Sequence, residues 1–174
     1  HCDTDRVCRA LLEKGQPGWV EVERQWGARF LDQVGNIDRK SLRATVFESE
    51  EIRLQLENIL HPFVHAHVTN LMKRCRSEKR LLIVEVPLLF EVGWQNDFDY
   101  IVTVSAGKHD TLNRVVTRDT VSAEHVEKIL NTQLDITDKV QRSDFVIDNS
   151  GTLENTYVQI DLLKASILAK QSEA

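Results

Sequence analysis

The sequence predicts an α/β fold, a mostly parallel sheet covered by helices. Three observations carry that expectation. Apolar runs of strand length recur at 81–86, 100–105 and 144–149, and such runs suit strands buried on both faces. Stretches with apolar residues at helical spacing flank and separate them, the alternation expected of layered α/β folds. Pro87 closes the first run, since it has no N–H to donate to a ladder. That strand delivers Glu85 and the phrase Pro87-Leu-Leu-Phe-Glu91 to its carboxyl end, where open α/β sheets bind ligands. The plainer reading is a core strand with an incidental acid at its end.

Taken in order, His1 to Asp5 reads as the end of an extended segment. A helix follows to Lys14, with Val7 and Leu11 on one face and Gly15 as its C-cap. Residues two apart in an extended segment point the same way, so Asp3 and Asp5 are placed to converge on one ligand. The alternative, which spacing alone favours, is that Asp5 is the helix N-cap. Gln16-Pro-Gly18 is a turn, and Trp19 to Trp26 a short helix closed by Gly27. Asn36 and Asp38 mark another turn. Asp38 to Phe47 is a helix whose basic face, with Arg39, either meets an anion or is simply solvated. Glu50 to Leu60 is a helix with Ile52, Leu56, Ile59 and Leu60 inward. His61-Pro62 is expected to break it, with a new helix starting there. His61, His65 and His67 carry no third ligand or glutamate at a metalloprotease spacing, so a metal reading is weak.

Beyond the loop 93–99 and the second strand, His109 to Arg118 is a helix with Leu112, Val115 and Val116 inward. Arg114 and Arg118, one turn apart on another face, are spaced to grip a phosphoryl group between forked donors, or are ordinary surface arginines. Ser122 caps a further helix ending near Gln133. Such a short, charged helix pair suits a flap over a site. After the third strand, Asn149-Ser-Gly151 turns sharply. The last helix, about 153–168, has Leu153, Tyr157, Ile160, Leu163 and Ile167 as its stripe, and Gln171 opens a polar tail.

The totals narrow the classes. At 174 residues the chain is expected to be one domain with a real core. With 22 basic and 27 acidic residues its net charge is −5, which argues against a nucleic-acid binder. Cys2, Cys8 and Cys75 have no metal-ligand spacing and read as reduced thiols of a cytoplasmic protein. No apolar run reaches membrane-spanning length and no signal peptide is read, so no membrane partner is expected.

Several phrases line up in order with one family: Asp3-Thr-Asp5, Gly15-x-Pro17, Asp38-Arg39-x-x-Leu42, Phe47, Leu56-Glu57-x-x-Leu60-His61-Pro62, Val86-Pro-Leu-Leu-Phe-Glu91, Arg114-x-x-x-Arg118, Gln133 and Asp144-x-Val-Ile-x-Asn149-x-Gly151. Over nearly its whole length the chain resembles dephospho-CoA kinase, the enzyme of the last step of coenzyme A biosynthesis. The resemblance implies a P-loop nucleotide kinase fold of three layers, with an acceptor-binding helical region at about 15–76 and a lid at about 108–142. It implies transfer of the γ-phosphoryl group of ATP to the ribose 3′-hydroxyl of dephospho-CoA. Asp5 matches the family's general base, with Asp3 beside it. Glu85 would help organise Mg2+, through water. Arg39, His61, Pro87, Leu88, Leu89 and Phe90 would line the acceptor side. Arg114 and Arg118 would be lid arginines on the transferring phosphate, Arg118 touching the nucleotide, and Asn149 and Gly151 would border adenine.

One departure stands out. The pattern G-x-x-x-x-G-K-[ST] is absent, and Gly107-Lys108 is followed by His109 without the upstream glycine. That loop's N–H groups cradle phosphates and its lysine offsets their charge. The resemblance places it, after a first strand, ahead of Asp3. The expectation is therefore a fragment of an active kinase that transfers no phosphate by itself. The alternatives are a catalytically dead acceptor-binding or regulatory homologue, and another P-loop nucleotide kinase.

Overall fold

A computed structural model describes residues 1–119 and 121–172. The chain divides into two compact units, His1–Pro87 and Leu88 onward. Each holds one parallel strand pair and its own helices.

In the first unit, β1 (Cys2–Asp3) pairs in parallel with β2 (Val84–Glu85), Cys2 opposite Val84 and Asp3 opposite Glu85. Helix α1 (Thr4–Leu11) leaves β1 directly. Its N-cap is Asp3, whose Oδ1 accepts from the Arg6 N–H at 3.1 Å, not Asp5. Asp5 sits in the first helical turn, so the alternation argument for an extended pair does not reach it. The helix ends at Leu11, with Leu12 as its C-cap, rather than at Lys14, and Gly15 lies in the following turn.

Helix α2 (Pro17–Trp26) starts on Pro17, which fits a first turn, and stops at Gly27, whose φ of +59° suits a residue without Cβ. Asp38 caps α3 (Arg39–Glu48) through the Ser41 N–H, and Ser49 caps α4 (Glu50–Ser77) through Ile52. Val22, Phe30, Ile37, Leu42 and Ile52 form the buried core of these helices, and Trp26 meets Phe30 edge-on at 5.4 Å.

The expected break at His61-Pro62 does not occur. Helix α4 runs unbroken through Pro62. An internal proline forfeits one hydrogen bond and crowds the preceding turn. Against that, Ile52, Leu60, Val64 and Val68 are all buried on α4, and Leu56 packs on the core beside Ile52. The spacing is four throughout, so one buried stripe crosses the proline, and packing prevails over local propensity.

The first strand is also shorter than the apolar run. Only Val84–Glu85 is strand, and Leu81 and Ile83 are 60 % and 59 % exposed. Those exposures contradict the expectation of a strand buried on both faces.

Gly18 sits where α2 crosses its neighbours. A Cβ there would lie 2.8 Å from both the Leu11 carbonyl oxygen and Leu60 Cδ2. Leu60 can turn away, but the α1 backbone cannot. Gly18→Ala is therefore expected to destabilise the chain by about 1–2 kcal/mol, overpacking outweighing the better helix propensity of alanine. A thermal melt should show Tm falling by several degrees; an unchanged or raised Tm would mean the crossing has slack.

In the second unit, β3 (Val102–Ser105) pairs in parallel with β4 (Phe145–Asp148), from Val102 opposite Phe145 to Ser105 opposite Asp148. Helices α5 (Lys108–Asp119) and α6 (Ala123–Leu130) follow β3, and Val126 of α6 is buried. Helix α7 (Ile136–Gln141), capped by Asp135, is an element the periodicity did not suggest. Helix α8 (Leu153–Ser172) packs on β4, but not by the expected stripe. Leu153, Tyr157 and Ile160 are exposed, whereas Thr156 is buried and Gln159, Leu163 and Ile167 half-buried. Thr156 and Gln159 bind the β4 exit, Thr156 Oγ1 donating to Asn149 Oδ1 and Gln159 Nε2 to the Asp148 carbonyl. Polar contacts set this helix's rotation. The polar tail beyond Ser172 lies outside the described residues.

Candidate active site

Two groups of residues, one in each unit, carry chemistry. In the first unit the parallel register sets Asp3 beside Glu85. Thr4, buried between them, donates from Oγ1 to the Glu85 carbonyl at 2.8 Å and so fixes the start of α1 to the end of β2. Glu85 Oε1 lies 2.7 Å from His1 Nε2. Asp3 has one carboxylate oxygen occupied as the cap. Asp5 is exposed, and its carboxylate has no hydrogen-bond partner among the described residues.

Arg39 reaches the other end of α1. Its Nη2 donates to the Arg9 carbonyl at 3.2 Å, while Arg9 Nε donates to the Asp5 carbonyl at 3.2 Å. Asp3, Asp5 and Glu85 thus gather at the start of α1, while Arg39 meets its last turn at Arg9. His61 is half-buried on α4, which packs against α1, and burial draws its pKa below the ordinary value, against the pull of Glu57. Pro87 is exposed at the end of this unit. Burial and the neighbouring Asp5 push the Cys8 thiol up to about 11, which disfavours its thiolate.

In the second unit, residues 88–94 form a tight turn, with Val92 N–H to Leu88 C=O at 3.0 Å and Trp94 N–H to Leu89 C=O at 3.1 Å. Phe90 is buried beneath the Arg142 guanidinium, 4.5 Å from the ring centre. Glu91 Oε1 takes the Lys139 ammonium at 2.7 Å and the Leu134 N–H at 3.0 Å. Loss of solvent alone would raise its pKa, but Lys139 and Leu134 outweigh that and hold it below the ordinary 4.5. A depressed carboxylate contributes stability above its unfolded pKa and loses it as pH falls through the folded one. The Tm gap between the parent and Glu91→Gln should therefore be widest near neutral pH and close as the solution is acidified below about 4.5. A gap that persists at pH ~3 would show that shape, not charge, matters there.

Beyond the carboxyl ends of β3 and β4 lies a cavity of about 380 Å³ lined by Ser105, Ala106, Gly107, Ile136, Thr137, Val140, Asp148 and Ser150. Its rim is tied together: Gly107 N–H donates to Ser150 Oγ at 3.0 Å, Ser150 N–H to Asp148 Oδ1 at 2.9 Å, and Asn149 N–H to the Ser105 carbonyl at 2.7 Å. The Ser150 hydroxyl and N–H hold the Asp148 carboxyl below its usual range. Asn149 and Gly151, expected at such a border, flank the lining rather than form it, and the Asn149 amide oxygen is engaged by Thr156. Sequence reasoning missed Ser105-Ala-Gly107, although the strand-end rule applied at Pro87 also points there. Helix α5 starts one residue after Gly107, and Arg114 and Arg118 stand exposed on it.

Such a cavity, with apolar walls and a few fixed polar groups at strand ends, suits a flat heteroaromatic base. The carboxylates around α1 suit proton acceptance or a hard cation. Among the described residues, no three of His, Cys, Asp and Glu converge as a self-sufficient metal site, and no helix is long and apolar enough to cross a membrane.

Known proteins match this chain over most of its length. The sequence model of dephospho-CoA kinase matches residues 1–155. A dephospho-CoA kinase of Desulfotalea psychrophila is 32 % identical over 96 % of this chain and 84 % of its own length. That of Aquifex aeolicus is 37 % identical over 91 % and 80 %. The structure resembles that of a dephospho-CoA kinase from Campylobacter jejuni, with a TM-score of 0.68 and 26 % identity, covering 95 % of this chain and 83 % of the other.

Proposed function

Because the chain belongs to the dephospho-CoA kinase family, we propose that it divides the family's reaction between its two groups of residues, acceptor activation around α1 and nucleotide binding at the β3–β4 cavity. The reaction itself is ATP-dependent phosphorylation of dephospho-CoA, on a P-loop kinase fold. In this reading the ribose 3′-hydroxyl attacks the γ-phosphorus of ATP. An oxygen–phosphorus bond forms, the β,γ-bridging bond breaks, ADP leaves, and Asp5 takes the hydroxyl proton. The observation that carries the assignment is the contrast between the two acids: Asp3 caps α1, while the Asp5 carboxylate is exposed and has no hydrogen-bond partner among the described residues.

Arg39, held on the Arg9 carbonyl of α1, offers a guanidinium to the acceptor's phosphates; His61 and Pro87 of the same unit, and Leu88 to Phe90 of the other, are the further acceptor residues of this reading. Arg114 and Arg118 offset charge on the transferring group. The adenine ring lies between Ala106 and the α7 residues Ile136 and Val140, near Asn149 and Gly151. Glu85, at the end of β2, fits a role in holding Mg2+ through water; this hard cation keeps several waters and takes one or two carboxylates together with substrate phosphates. When bound, Mg2+ supplies further neutralisation of phosphate charge. The segment 15–76 serves as acceptor region and 108–142 as lid of one kinase domain, acting in the cytoplasm without nucleic acid or membrane.

Calorimetric titration of the 174-residue polypeptide with dephospho-CoA tests the acceptor half. Binding should appear, and Arg39→Ala should weaken it about tenfold, the ~1.4 kcal/mol of one charge-assisted hydrogen bond. Binding of a nucleoside monophosphate in place of dephospho-CoA would point to another nucleotide kinase.

A further inference from the structure

Helix α7 works on two sides. Ile136, Thr137 and Val140 line the β3–β4 cavity, and at 100° per residue they share one face. On the other side, Lys139 holds Glu91 and Arg142 covers Phe90. The Lys139 and Glu91 side chains are only 12 % and 19 % exposed, and the Leu134 N–H, just ahead of α7, completes the grip on Glu91. The helix is itself fastened to the sheet. Ser143 Oγ donates to the Lys139 carbonyl at 2.8 Å, which leaves the buried Thr103 hydroxyl of β3 to donate to Ser143 Oγ at 2.6 Å. Helix α7 and the residues flanking it, from Leu134 to Ser143, therefore join the cavity wall, the strand behind it and the Leu88–Glu91 turn.

We propose that α7 is a strut through which filling of the cavity orders the Leu88–Glu91 turn, with Lys139 and Arg142 as positioning residues for the acceptor side. The physical basis is shared order. A ligand that immobilises Ile136 and Val140 immobilises the short helix, and Lys139 and Arg142 then hold Glu91 and Phe90 in one setting. A second ligand meeting that turn has less disorder left to remove. The inference rests on reading the cavity as the nucleotide site.

Hydrogen–deuterium exchange on the 174-residue chain, with and without saturating ADP, tests it. ADP should slow exchange at 105–107 and 148–150, and by about fivefold at 88–94. Lys139→Met should keep the first effect and lose the second, whereas Lys139→Arg, which retains the charge, should keep both. Should Lys139→Met fail to fold, Glu91→Gln serves in its place. A purely structural Lys139 would change exchange at 88–94 equally with and without ADP, and that result would overturn the strut. Protection at 105–107 with none at 88–94 in the parent would also overturn it while leaving the nucleotide site standing. No protection anywhere would remove both.

Discussion

Asp5→Asn is expected to cut turnover by about 10³-fold in a catalytically competent form of the kinase. Affinity for dephospho-CoA should stay unchanged. Asparagine keeps the size of the side chain and can still accept a hydrogen bond from the ribose hydroxyl, so the acceptor remains seated. It cannot take the proton. The hydroxyl must then attack while still protonated, or lose its proton to water, and the barrier rises accordingly. The control is Asp3→Asn. Asparagine caps helices as well as aspartate does, so the Arg6 N–H keeps its partner and α1 keeps its start. Steady-state kinetics beside calorimetry separates the cases. A drop with Asp3→Asn and none with Asp5→Asn would transfer the base to Asp3, and a loss of binding with Asp5→Asn would make it an acceptor ligand instead.

The contrast between these two acids shows where sequence stops being informative. Asp3-Thr-Asp5 names two carboxylates, but which one caps depends on where β1 ends, and β1 is only two residues long. Patterns that depend on the chain's own periodicity were readable: α2 from Trp19 to its stop at Gly27, though it begins at Pro17 where a turn was expected, the helix starts at Asp38 and Glu50, and the two strands near 102 and 145. Those decided by packing were not. Pro62 reads as a break until one sees that the buried stripe runs through it. In α8 the apolar residues suggest one face, yet Thr156 and Gln159 turn another toward β4 through hydrogen bonds. Helix α7 was missed because six residues are too few for a period to declare itself, although Asp135 followed by Ile136 and Val140 is a legible cap and face. The site followed the same rule. The acids, the arginine pair and the Pro87–Glu91 phrase stand out as residues, whereas the cavity wall of Ser105, Ala106 and Gly107 is made by backbone position alone.

Arg118→Ala should lower turnover by about 10²-fold in that same competent form, with little change in dephospho-CoA affinity. The reason lies in when the charge appears. In phosphoryl transfer the negative charge spreads over the equatorial oxygens at the transition state, and the protein contributes mainly by neutralising it there. A guanidinium that meets those oxygens only then acts on kcat and not on ground-state binding. Arg118 stands one turn from Arg114 on α5, so the two forks can share one phosphoryl group. Lysine at 118 keeps the charge but loses the fork, and Arg118→Lys should recover only part of the rate. If the two arginines act as one clamp, the double replacement Arg114→Ala with Arg118→Ala will cost less than the sum of the single losses. The opposite pattern, dephospho-CoA affinity falling while turnover at saturation holds, would take Arg118 out of the lid and place it among the acceptor's ligands.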